Sequence, residues 1–148
     1  MPPSAVTMDA RFVFACRTGQ LSAVQDMVRG GVDINTVNSS GATGLWRAIS
    51  SKHWAVVTWL LSHDTVNTNY KNSNGYTYLH MASYHGAPVS VINRLCDIMS
   101  SADINTVDSY GDTALDRAVR ENHLDIVSCL GGREEVTWDM GRLEEVAR

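Results

Sequence analysis

The sequence predicts an all-α solenoid of stacked helix-turn-helix units joined by β-turn, hairpin-like finger loops, and three observations predict it. Three eleven-residue segments align without a gap: NSSGATGLWRA (38–48), NSNGYTYLHMA (72–82) and DSYGDTALDRA (108–118). Their threonines, Thr43, Thr77 and Thr113, fall 34 and then 36 residues apart. Upstream of each segment runs a second register: Asp33-Ile34-Asn35, Val66-Asn67 and Asp103-Ile104-Asn105. Self-similarity at such a period marks repeat architectures, in which one small unit buries its apolar face against the next.

Each element follows from residue chemistry. Asn or Asp followed by Gly three positions later is turn chemistry, with Gly supplying a positive φ. The threonine two residues beyond that glycine is placed to cap a helix, its hydroxyl accepting an orphan backbone N–H. Leu45, Ala48 and Ile49 then recur at i, i+3 and i+4, which puts them on one helix face. This short helix is expected to end at Gly19, Lys52, Gly86 or Asn122, each four residues beyond Ala15, Ala48, Ala82 or Ala118. Gly and Asn suit a left-handed closing residue, and Lys52 stands out as the exception. A second helix follows in each unit, with buried stripes expected at Val24, Met27 and Val28; at Val57, Leu60 and Leu61; at Ile92, Leu95 and Cys96; and at Val127 and Leu130. Pro88 begins the third of these, where a missing N–H costs little.

With 148 residues, 44% apolar and 19% charged, the chain has room for one globular domain. A formal charge of −4 and a pI near 5.6 argue against a nucleic-acid binder, which needs clustered cations. No apolar run is long enough for a membrane span, and no secretory signal is visible, so no membrane partner is expected. Cys16, Cys96 and Cys129 are odd in number and have no short spacing, which suits neither a disulfide framework nor a zinc knuckle. They are expected as small apolar side chains on helices of an intracellular chain, cytoplasmic with the nucleus also open.

The turn, the G-x-T-x-L-x-x-A run, the corner and the D-[IV]-N register resemble the ankyrin repeat. Residues 9–130 carry the resemblance, divided as 9–37, 38–71, 72–107 and 108–130. Residues 1–8 are expected as a flexible leader. Residues 131–148 are expected as a degenerate finger at 136–139 and a helix at 141–147, either a short cap or the start of a further repeat. The unit beginning near Asp9 lacks the finger signature and reads as an N-terminal cap carrying Phe12 and Phe14. The length differences between repeats are assigned to loops, including two extra residues in IMSSAD. The family's Thr-Pro-Leu-His becomes Thr43-Gly44-Leu45-Trp46, Thr77-Tyr78-Leu79-His80 and Thr113-Ala114-Leu115-Asp116. Only His80 keeps the histidine that, by the resemblance, ties neighbouring turns together. The resemblance also gives His53 and His123 a structural place at the corner between helices. His63, past a helix end, is expected in solvent.

There is no glycine-rich phosphate loop, HExxH, GxSxG or CxxC. His80 and His85, five apart, do not share a helix face well enough to pair on a metal. No catalytic site, metal or cofactor is expected. Trp54 and Trp59 are expected as packing residues. The resemblance implies instead a protein-binding module, gripping an unidentified protein partner on the concave face of fingers and inner helices and working as a monomer. The slots that face would expose hold Arg17, Ser40, Trp46, Ser73, Asn74, Tyr76, Tyr84, His85, Tyr110, Asp112, Arg120 and Glu121. Tyrosine and arginine are favoured at binding hot spots, so Tyr76, Tyr84 and Tyr110 point to a contact patch on the third and fourth repeats. A second reading makes the chain a regulatory or structural segment of a larger multidomain signalling protein or enzyme. Asn35, Asn67 and Asn105 resemble positions that ankyrin proteins offer to asparaginyl hydroxylases.

Overall fold

A computed structural model of the chain describes residues 7–137, so the expectations for residues 1–6 and 138–148 lie outside the described residues, and Met8, expected in the leader, belongs to the first helix. Two compact units divide at Asn67 and Thr68. Among the described residues the structure is helical, with isolated antiparallel bridges Val37–Thr43 and Lys71–Thr77 closing two fingers.

The first unit contains α1 (Met8–Arg17), α2 (Leu21–Arg29), α3 (Gly44–Ser50) and α4 (Trp54–Leu61). Thr7 and Thr43 cap α1 and α3, accepting from the N–H groups of Ala10 and Trp46 at 3.1 Å each. The two inner helices lie close. A Cβ built on Gly44 would sit 2.7 Å from Cys16 Sγ and 2.9 Å from the Phe12 ring, which explains glycine where the family carries proline. Val24, Val57, Leu60 and Leu61 are fully buried, whereas Met27 and Val28 are only half-buried in this first, finger-less repeat. The amide of Asn35 spans to the next loop, donating to Thr65 O (2.8 Å) and accepting from Asn67 N (2.8 Å).

The second unit contains α5 (Tyr78–His85), α6 (Val89–Ile98), α7 (Ser101–Ile104), α8 (Ala114–Arg120) and α9 (Leu124–Gly131). Thr77 and Thr113 form capping boxes with His80 and Asp116, satisfying donors in both directions. Asn105 repeats the bridge made by Asn35, donating to Glu135 O (2.6 Å) and accepting from Thr137 N (2.8 Å). Arg133 ties the loop after α9 to α6 through Asn93 (3.0 Å) and Asp97 (2.8 Å).

Several expectations need correction. Lys52 is no exception at the helix end, since it too adopts a left-handed φ of 62°, beside Asn122 at 59°. The corner geometry imposes that conformation whatever residue stands there. The extra residues of IMSSAD do not form a loop. They make the one-turn helix α7, because Ser100 accepts from Asp103 N at 3.1 Å and caps it. In α9 the buried pair is Ile126 and Leu130, with Val127 half-buried, a phase shift of one residue. His63 is not free in solvent: its ring lies edge-on to Trp59 at 4.2 Å, with Nδ1 2.9 Å from Trp59 O.

Two corner histidines pack where a glycine leaves room. His53 covers Gly19, whose Cβ would fall 2.5 Å from the ring. His123 covers Gly86, at φ 71°, and lies 3.1 Å from Tyr84 O through Nε2. The cysteines are free thiols. Burial pushes Cys16 and Cys96 up to about 12, which leaves them almost wholly protonated and poorly nucleophilic at neutral pH.

Candidate interaction site

The site rests on Asp108, the first residue of the fourth finger. In the second and third fingers that residue is asparagine, whose Oδ1 accepts two backbone N–H groups: Ser40 and Ala42 for Asn38, Asn74 and Tyr76 for Asn72. Asp108 does the same for Tyr110 (2.9 Å) and Asp112 (3.0 Å). Being a carboxylate, it has a second oxygen with charge to spend, and Arg117 Nη2 donates to it at 3.4 Å. Arg117 also reaches Asp112 at 3.2 Å, and Arg120 binds both oxygens of Asp112, at 2.8 and 3.2 Å. Two carboxylates and two guanidiniums thus lock the fourth finger onto α8. The Asp108 side chain is wholly buried and that of Asp112 is 4% exposed, whereas Arg120 is 43% exposed. Such buried pairs add directional definition more surely than net stability.

His80 supplies the other support. It is fully buried, with Nδ1 accepting from Thr77 N at 3.2 Å and Nε2 2.8 Å from the carbonyl of Asp112. That geometry requires a neutral ring with the proton on Nε2. Burial holds its pKa below the usual histidine value, with the Asp112 carbonyl and nearby Asp108 opposing and Arg117 reinforcing the shift. Tyr76 lies flat over this ring, centroids 5.5 Å apart and planes 5° apart, and Arg117 sits 5.6 Å from the Tyr76 ring centroid. Partial burial raises the Tyr76 hydroxyl, partly offset by Arg117, so it stays a neutral hydrogen-bond donor at physiological pH. Above this base an open cleft of about 510 Å³ is lined by Tyr76, Tyr110, Asp112, Arg117 and Arg120.

The structure therefore brings together Tyr76, Tyr110, Asp112 and Arg120 from the expected contact residues. Tyr110 is the most open at 71% exposed, while Asp112 contributes through the arginines it holds. Tyr84, 42% exposed, does not line the cleft; it stands edge-on to the half-buried His85 at 4.9 Å. Glu121 is exposed just beyond Arg120, and Ser73 and Asn74 are exposed in the third finger, where Asn74 O accepts from Ser109 N at 2.8 Å. Ser40 and Arg17 are exposed in the first unit, outside this cleft. Trp46 is buried at 9% exposure and offers a partner little surface. Asn35 and Asn105 are half-buried with their amides tied to the next loop, whereas Asn67 is exposed. Sequence reasoning missed Arg117. Its signal was the joint appearance of Asp108 and Asp112 in slots that hold Asn38 and Ala42, or Asn72 and Tyr76, elsewhere: two acids there need a cation.

Comparison with known proteins gives the same framework. A family model described as ankyrin repeats (3 copies) matches residues 12–108, and one described as ankyrin repeats (many copies) matches residues 98–130. An ankyrin repeat protein of fowlpox virus (strain NVSL) is 31% identical over 121 residues, covering 80% of this chain and 35% of its own length. An ankyrin repeat protein of Escherichia coli (strain K12) is 28% identical over 122 residues, covering 80% of this chain and 60% of its own. An E3 ubiquitin-protein ligase of Arabidopsis thaliana is 31% identical over 98 residues, which is 66% of this chain and 19% of the ligase. The chain thus spans only part of each of these relatives.

Proposed function

The chain belongs to the ankyrin-repeat family, and on that premise we propose that it is a non-catalytic protein-interaction module whose second unit grips a protein partner at the cleft between its third and fourth fingers. Ankyrin repeats are in general protein-interaction modules and typically carry no catalysis. The observation that supports this cleft in particular is the convergence of Tyr76, Tyr110 and Arg120 on one open surface above a hydrogen-bonded base. A preformed surface loses little ordering entropy when a partner docks. Aromatic and guanidinium groups there offer large area with polar tips.

Replacing Tyr76, Tyr84 and Tyr110 together by alanine is expected to weaken the partner by well over 1 kcal/mol, about fivefold or more. The melting temperature should fall only modestly, because Tyr84 and Tyr110 are exposed and Tyr76, which covers His80, is half-buried. The measurement is capture of partner from the source cell by wild-type and triple-variant chains, followed by titration of what is captured. Undiminished capture would rule out this face.

The second reading, a regulatory or structural segment of a larger signalling protein or enzyme packing on its own neighbouring domain, is favoured by the small share of the plant ligase that the chain matches. A transcript running past Arg148 into another domain would support it. Residence in the cytoplasm as a monomer belongs to the leading reading; light scattering that returned a dimer mass would remove the monomer. No helix among the described residues is long and apolar enough to cross a membrane. Asparagine hydroxylation is proposed at Asn35, Asn67 and Asn105. Co-expression with an asparaginyl hydroxylase should add the mass of one oxygen atom per modified site, and an unshifted mass would refute it.

A further inference from the structure

The first unit carries a pocket that no part of this reading uses. Ala10, Val13, Phe14 and Arg17 of α1, Asn38 and Ser39 of the second finger, and Arg47 of α3 enclose about 250 Å³. Phe14 is 52% exposed, unusual for a phenylalanine, and the Arg17 guanidinium lies 5.5 Å from its ring centroid.

The charge of this pocket is unlike that of the cleft in the second unit. Arg47 stands immediately before Ala48 as Arg117 stands before Ala118, so the two arginines hold the same register. Arg117 meets Asp108 and Asp112; the residues at those places in the second finger are Asn38 and Ala42, which carry no charge. Among the described residues neither Arg17 nor Arg47 forms an ion pair. Composition points the same way. Residues 7–67 hold five cations against four acids, whereas residues 68–137 hold five against nine. An exposed aromatic flanked by two guanidiniums, with amide and hydroxyl groups on the rim, is complementary to carboxylates beside an apolar side chain. The leading residues Met1–Val6 contain no acid and so cannot answer that charge.

We propose that the pocket of Phe14, Arg17 and Arg47 docks an acidic segment of a protein partner, with an aromatic or large aliphatic side chain against Phe14 and carboxylates on the two arginines. The test is a titration of the full chain, labelled for backbone and arginine Nε signals, with the synthetic peptide Glu-Glu-Trp-Glu-Glu. Controls are Lys-Lys-Trp-Lys-Lys and Glu-Glu-Ser-Glu-Glu. The acidic tryptophan peptide should move the signals of Phe14, Arg17 and Arg47 with a dissociation constant of about 1 mM or tighter. The lysine peptide should leave them still, and the serine peptide should bind more weakly. Arg17→Glu with Arg47→Glu should weaken binding by about tenfold or more, and added salt should weaken it in wild type. The milder pair Arg17→Gln and Arg47→Gln, checked by its helical spectrum, gives the same reading if charge reversal perturbs folding.

Shifts centred elsewhere, equal shifts with the lysine peptide, or unchanged affinity in the arginine variants would overturn the proposal. So would movement of the Arg17 and Arg47 signals when residues 138–148 are deleted without peptide, since their own acids would then be the occupant. The tyrosine variant of the second unit should bind the peptide as wild type does. Failure of the cleft and failure of this pocket are therefore separate outcomes.

Discussion

Replacing His80 by alanine is expected to destabilise the protein by about 3 kcal/mol, enough to remove much of the stability of a domain this small. The size follows from what the ring does. It is fully buried, so its loss leaves a cavity beneath Tyr76. It also leaves the N–H of Thr77 without the acceptor found at 3.2 Å, and takes from the carbonyl of Asp112 one of its two donors, leaving the Asp108 N–H at 2.9 Å. The stranded N–H costs about 1–3 kcal/mol, more than the bond itself contributes net, and the cavity adds to it. Urea unfolding followed by circular dichroism checks the figure; a loss below about 1 kcal/mol would mean the fingers are held by something else.

The same residue sets a pH dependence. In the unfolded chain His80 protonates as pH falls through about 6.5, while the folded protein holds the ring neutral to lower pH. Unfolded chains therefore bind more protons in that window. The stability His80 contributes is complete above pH 6.5 and drains away as pH drops towards the lower folded value. Protonating Nδ1 would also turn the acceptor that faces Thr77 N into a donor. His80→Gln should flatten the loss of stability between neutral and mildly acidic buffer, and parallel curves for the two proteins would contradict this.

How much of this was legible in the sequence depended on distance along the chain. The threonine caps, the Asn-to-Gly turns and the inner-helix leucines are read within four residues, and Thr43, Thr77 and Thr113 each cap a helix as expected. The phase of an outer helix is harder. In Leu124–Leu130 apolar residues stand on several sides, so periodicity alone could not choose Ile126 over Val127 as the buried partner of Leu130. The left-handed Lys52 was unreadable, because the corner dictates the dihedral and the residue only tolerates it. The candidate site was half legible. Register placed Tyr76, Tyr110, Asp112 and Arg120 on one surface, but Arg117 meets Asp108 nine residues away through a finger-to-helix fold that no local rule encodes. Phe14 was assigned to a helix without a face, and only the packing shows it turned outward.

That finger-to-helix lock leads to the second large effect, in which two substitutions at one residue should part widely. Asp108→Ala removes the acceptor for the Tyr110 and Asp112 N–H groups and one of the two carboxylates holding Arg117. Breaking a buried pair from one side costs about 3–5 kcal/mol, because the remaining Arg117 guanidinium, only 12% exposed, regains little hydration in exchange. Asp108→Asn keeps the N–H acceptor, as Asn38 and Asn72 show in their own fingers, and leaves Arg117 its bond to Asp112. That change should cost only about 2 kcal/mol, the net worth of one hydrogen bond to a charged group. The two figures come from unfolding midpoints in urea. Partner capture should follow them, the asparagine variant retaining it and the alanine variant losing it as the Tyr110 finger loosens. Equal losses for both would put the weight on charge rather than on the backbone acceptor; a harmless alanine would detach the cleft from the finger lock altogether.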